Sequence, residues 1–265
     1  MADKINNWNR DQLLLAFNLY CQMPFGKMHS RNPEIIRLAA LIDRTPSALA
    51  MKLTNIASLD PAITSTGRKG LDGASAADKL MWNEMQQNWE RFALESQAVI
   101  DTIVPLNDVS VEALLPSTAL LEEEKFDYSA ENKTSLVKIR VGQHFFRRSV
   151  LSAYLGRCCI TGLTEPKLLV ASHIIPWRTN SNHRLNPRNG LCLSVLHDKA
   201  FDLGMFTLTP DFKIKTSQHI QAMSKNSFAA DWLVGLEGKN IELPEKFRPE
   251  LKFLEWHHQN VFMDE

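Results

Sequence analysis

Apolar residues recur at helical spacing near the start of the chain. Leu13, Leu14, Phe17 and Cys21 would line one stripe of a helix over Asp11 to Cys21, and Pro24 stops it. Two further helix starts carry their own punctuation. Asn32 stands where a cap is needed and Pro33 at the first helical position, ahead of an apolar run to Ile42. Thr45 and Pro46 repeat the device before Ser47 to Ile56, with Asp43-Arg44 as the connection. So short a turn permits a helix-turn-helix, whose second helix would carry Lys52, Thr54 and Asn55 toward a major groove. The plainer alternative is a helical hairpin with a solvated face. Residues 75–98 predict one longer helix with Leu80, Trp82, Met85, Trp89 and Phe92 mostly on one side, the two tryptophans as core. Farther on, the apolar run within Leu168 to Trp177 reads as a strand ending in His173. A polar loop from Arg178 to Asn189, a short strand from Gly190 to Ser194 and a short helix over His197 to Asp202 follow, and Gly204 can end that helix.

Composition places the chain among globular proteins: 265 residues, 44% hydrophobic and 23% charged. Thirty basic residues balance thirty acidic ones, so net charge announces neither nucleic acid nor membrane. The distribution is more telling. Between Asp101 and Glu131 eight acidic residues face only Lys125, whereas between Lys133 and Arg188 ten basic residues face only Glu165. The acidic stretch, interrupted by Pro105 and Pro116, reads as a linker over 101–132, between a helical region at 1–100 and a second domain at 133–265. The basic stretch fits a phosphate-binding footprint or a solvated face. No apolar run approaches the ~20 residues of a bilayer span, and Met1 to Trp8 lacks a signal-peptide core. Cys21, Cys158, Cys159 and Cys192 have no paired spacing, so reduced thiols in a cytoplasmic protein are expected.

The most informative residues are Cys159-Ile160-Thr161-Gly162, Ser172-His173-Ile174-Ile175-Pro176-Trp177, Asn189-Gly190-Leu191-Cys192-Leu193 and His197-Asp198 with Phe201-Asp202. In that order and spacing they resemble the HNH endonuclease family, closest to the branch of restriction-type endonucleases. Arg140-Val141-Gly142-Gln143, with Phe146-Arg147 and Val150-Leu151, is similar to the segment preceding that core. Trp8 to Asp60 resembles a helical domain found ahead of such cores, and Trp256 carries a weaker likeness near the end. The resemblance implies an α+β protein: an N-terminal helical domain, then a C-terminal domain containing a ββα-metal nuclease core.

The resemblance also implies roles. His173 would be the base that activates water, Asn189 the residue that orients the catalytic loop, and His197 a ligand of a divalent metal. Phosphodiester hydrolysis requires such a base, together with positive charge on the developing phosphorane and a stabilised leaving oxygen. Each residue has an ordinary alternative: His173 as a core histidine at a strand end, Asn189 as half of an Asn-Gly turn. One departure matters. Many members place Asp before the first histidine as a hard oxygen ligand, where this chain has Ser172, a poor ligand for Mg²⁺. Asp202, with Asp198 one turn earlier, could complete the metal set of His197, Asp202 and Ser172, or brace the helix. Mg²⁺ is the expected ion, with Mn²⁺, Ni²⁺ and Zn²⁺ as alternatives, and no structural zinc is expected because no CxxC pairs are present. Candidate DNA contacts are Arg140, Arg147, Arg148, Arg178, Arg188 and Lys52. The expected function is a metal-dependent DNA endonuclease serving restriction or anti-phage defence. A homodimer would allow both strands to be cut. The alternatives are a DNA-binding protein that has lost catalysis and an interaction module without DNA.

Overall fold

The structure, a computed structural model, describes residues 7–67, 73–103, 130–179 and 181–264. It combines many helices with small antiparallel sheets, and the chain divides into two compact units, Met1–Phe145 and Phe146–Glu265. Most of the acidic stretch read as a linker, residues 104–129, lies outside the described residues. No helix among them is long and apolar enough to cross a membrane.

In the first unit, helix α1 (Arg10–Gln22) starts from a reciprocal cap in which Asn9 Oδ1 accepts from Gln12 N and Gln12 Oε1 from Asn9 N. Its apolar stripe is buried, and it packs against α3 and α6. Asn32 and Thr45 cap α2 (Pro33–Leu41) and α3 (Pro46–Ala57), each with proline in the first turn. Asp43 turns the chain between them with a positive φ of 54°. The short helix α4 (Pro61–Thr64) follows, capped by Asp60.

Two expectations fail in this unit. Lys52, expected at a DNA groove, is buried: its Nζ lies 2.8 and 3.0 Å from the two carboxylate oxygens of Asp78. It is therefore a core cation and offers nothing to phosphate. The single helix expected over 75–98 is two helices, α5 (Ala76–Gln87) and α6 (Trp89–Ile103). Asn88 leaves helical geometry and its Oδ1 accepts from Arg91 N at 2.9 Å, so a capping side chain restarts the helix. Met81, Met85, Trp89 and Phe92 are buried, whereas Leu80, assigned to the stripe, is exposed.

Helix α7 (Ala130–Ala153) spans the division between the units, and its last turns supply Phe146, Val150 and Ala153 to the second core. Strands β1 (Leu169–His173) and β2 (Gly190–Ser194) pair antiparallel, with Leu169 opposite Ser194 and His173 opposite Gly190. Helix α8 (Val195–Asp202) follows directly, capped by Ser194, and packs on both strands. A second hairpin, β3 (Phe206–Leu208) with β4 (Ile214–Thr216), precedes the short helices α9 (Gln218–Ala222) and α10 (Ser227–Trp232). Helix α11 (Leu251–Asn260) closes over β3 and buries His257, which stacks on Phe201 with centroids 3.7 Å apart.

Candidate functional site

His173 ends β1, and packing on one face of the hairpin fixes its ring. Phe146 of α7 stacks parallel to the imidazole, with centroids 3.8 Å apart, and Trp177 meets it edge-on at 5.6 Å. The close stack depends on Gly190 across the hairpin, because a Cβ there would stand 2.4 Å from Val150 Cγ2 and 3.0 Å from Phe146 Cζ. His173 Nε2 lies 2.9 Å from the carbonyl oxygen of Arg184. A carbonyl only accepts, so Nε2 carries the proton and Nδ1 of the neutral ring holds a lone pair. Among the described residues Nδ1 has no hydrogen-bond partner, and it is not sealed from solvent. Burial pushes the imidazole pKa down to about 4, against a smaller upward pull from the Arg184 carbonyl. The ring is neutral at pH 7 and open at one nitrogen, the form a general base needs.

Asn189 is buried and closes the loop that supplies Arg184. Its Oδ1 accepts from Ile175 N at 2.8 Å, and its Nδ2 donates to the carbonyls of Ile175 and His183 at 3.0 and 3.3 Å. Its own carbonyl accepts from Ile174 N at 2.9 Å. One side chain thus ties the end and the middle of the turn-rich loop to the segment just after His173. Gly190 beside it is extended, at φ −126°, so the pair does not form the centre of an Asn-Gly turn; the Gly190 N–H closes the turn that starts at Pro187, and the missing side chain serves close packing.

The proposed metal ligands are not assembled. His197 is 1% exposed, with Nδ1 2.7 Å from Ser194 Oγ and Nε2 3.0 Å from the carbonyl of Trp232. Nε2 must donate to that carbonyl, so Nδ1 accepts the Ser194 hydroxyl proton, and neither nitrogen keeps a lone pair for a cation. Burial again lowers the imidazole pKa. Ser194 N also donates to Cys158 Sγ at 3.2 Å, which extends this clasp back to the segment before β1. Ser172 is 2% exposed, and its Oγ is sealed and without a hydrogen-bond partner. Strand alternation turns it to the face opposite His173. Asp202 ends α8 and is exposed; the protein around its carboxyl, then the nearby Asp198, push its pKa up to about 6. Among the described residues no group of three or more His, Cys, Asp or Glu side chains is placed to hold a metal ion. As arranged, His197, Asp202 and Ser172 do not fit a divalent cation.

The basic residues divide by what they touch. Arg147 donates from NH1 to the Leu169 carbonyl at 2.9 Å and from NH2 to that of Pro166 at 3.2 Å, so it braces β1. Arg140 and Arg178 are exposed and Arg148 and Arg188 are half-buried; Arg148, Arg178 and Arg188 are each already engaged within the protein. Sequence reasoning passed over Arg184 except as one of ten positive charges. The signal was present in its position, eleven residues after His173 in the loop that Asn189 closes. All four cysteines are buried free thiols, and burial holds Cys159 and Cys192 well above the ordinary thiol range, Cys192 at about 12.

This arrangement of β1, the tied loop, β2 and α8 coincides with a family match. Residues 158–209 match a family model described as HNH endonuclease. The matched stretch contains His173, Asn189 and His197, and the match shows the resemblance read from the motifs. No curated protein matches the chain.

Proposed function

We propose that this chain is a DNA endonuclease in which β1, β2 and α8 form the ββα core and His173 is the general base. The observation that carries the reading is the imidazole: stacked in place, its tautomer set by Arg184, one nitrogen open. In the forward step Nδ1 takes a proton from water while the water oxygen attacks phosphorus and the bond to the 3′ oxygen breaks, that oxygen taking up a proton from a solvent water as it leaves. The imidazolium that forms keeps its Nε2–H bond to the Arg184 carbonyl, which favours the charged ring. Asn189 acts through the loop by holding that carbonyl in place. We assign no step to the divalent metal expected of the family, because its candidate donors do not converge. The Ser-His-Ile-Ile-Pro-Trp and Asn-Gly-Leu motifs support a role in restriction or anti-phage defence. A second reading, a DNA-binding protein without catalysis, is favoured by the engaged His197 and the sealed Ser172.

The experiment is cleavage of supercoiled plasmid with Mg²⁺, Mn²⁺ or EDTA, with His173→Ala in parallel. Nicking that disappears in His173→Ala supports the nuclease, and dependence on added cation brings a divalent metal into the reaction. A linear product at high protein concentration supports action as a dimer. Wild-type protein that shifts DNA without cutting it, with either cation, sinks the reading in favour of the second.

A further inference from the structure

We propose that Arg184 is a phosphate-contacting residue of the site, its guanidinium set beside His173 to receive a backbone phosphate of DNA. The inference rests on the nuclease reading and adds a substrate contact to it. Three attachments place the residue. Its carbonyl accepts from His173 Nε2, its own Nε donates to the Trp177 carbonyl at 2.7 Å, and its guanidinium lies over the Trp177 ring, 5.4 Å from the centroid. The same indole meets His173, so imidazole and guanidinium both contact one ring.

What these attachments leave unused is the point. The hydrogen bond to Trp177 uses only Nε, on a neutral acceptor, and no carboxylate pairs with Arg184 among the described residues. Its two terminal nitrogens have no hydrogen-bond partner there and are not sealed from solvent. Arg147 shows the contrast, since both its terminal nitrogens are spent on carbonyls of the protein. A guanidinium held at one edge, with full charge and its outer donors open, is pre-organised for bidentate binding of a phosphate. A base and a phosphate-binding cation held against one indole supply two of the groups that in-line attack by water requires.

The test combines DNA affinity and cleavage in wild type, Arg184→Ala, Arg184→Gln, Arg184→Lys and His173→Ala. Binding to a labelled duplex is followed by anisotropy across a salt series in EDTA. Arg184→Ala and Arg184→Gln should each lower the slope of log affinity against log salt by about one, and Arg184→Lys should keep it. Gln keeps a donor for the Trp177 carbonyl, so it carries the test if Ala fails to fold. In cleavage, the neutral variants should lose about 10²-fold in turnover. Folded neutral variants with the wild-type slope overturn the proposal, and so does a wild type that shows no salt-dependent binding. If wild type cuts and the neutral variants match it in slope and rate, Arg184 falls while the nuclease reading stands. If wild type never cuts but the slope drops by one, the phosphate contact stands and the hydrolytic reading falls.

Discussion

The buried pair of Lys52 and Asp78 gives a prediction that is independent of catalysis. The two side chains are 8% and 0% exposed, and the ammonium sits 2.8 and 3.0 Å from the two carboxylate oxygens. Asp78 Oδ2 also accepts from Ser75 N at 2.8 Å and Ser75 Oγ at 2.9 Å, and the Lys52 ammonium lies 5.0 Å from the centroid of the Trp8 ring. Replacing one partner strands the other charge in the core, a loss of roughly 3–5 kcal/mol, against at most about 1 kcal/mol for an exposed pair. Lys52→Met and Asp78→Asn should therefore each lower the first thermal transition by about 10 °C. Lys52→Met/Asp78→Asn, with no buried charge, should lose clearly less than the two single changes added together. Thermal melts followed by circular dichroism measure the cycle, and DNA affinity at a temperature where every variant is folded completes it. Single changes that cost under about 1 kcal/mol would refute the burial argument. A folded Lys52→Met with a weaker, less salt-dependent grip on DNA would return Lys52 to the nucleic-acid surface.

Two further perturbations address the second unit. His173 and His257 are held neutral with pKa values of about 4, below the 6.5 of a free imidazole, so the unfolded chain takes up protons first as pH falls. Their contribution, about 3 kcal/mol each, is full above pH 6.5 and lost between there and about pH 4; a melting temperature that stays level from pH 7 to 4.5 would refute this. The acid limb of kcat/KM should likewise fall near pH 4 if His173 is the base, and a limb near 6.5 would refute the burial shift of its ring. Gly190→Ala drives a methyl to within 2.4 Å of Val150 Cγ2, at a cost of about 1–3 kcal/mol, and displaces the Phe146 ring from His173. Cleavage should fall, with partial recovery in Gly190→Ala/Val150→Ala, and unchanged stability in the single variant would show that the hairpin opens freely.

Elements that speak through local chemistry were readable in the sequence. Asn32-Pro33 and Thr45-Pro46 announce helix starts because cap and ring act on their own backbone. The strand ending in His173 and the helix after Ser194 follow from short-range pattern in the same way. What escaped depends on partners far along the chain. Lys52 reads as a surface cation until Asp78, 26 residues later, folds over it. The direction of the His197 ring is set by the carbonyl of Trp232, 35 residues on, and a carbonyl leaves no trace in a side-chain motif. Arg184 escaped for the same reason, since it holds His173 through its main chain. Asn88 is the local exception: apolar periodicity continues past it, and nothing in a hydrophobic pattern records that an amide has capped a new helix.

His257 bears on where this protein could be cut. Its ring spans Thr207 Oγ1 at 2.9 Å and the Phe201 carbonyl at 3.2 Å, so the family-matched stretch is roofed by a helix 40 to 50 residues beyond its end. A fragment trimmed to that stretch would leave Phe201 and Phe206 bare and the end of α8 unpinned. The segment is therefore not portable. A graft, a fusion or a search for the minimal active piece has to carry α11 along, because that helix completes the core around α8 and β3.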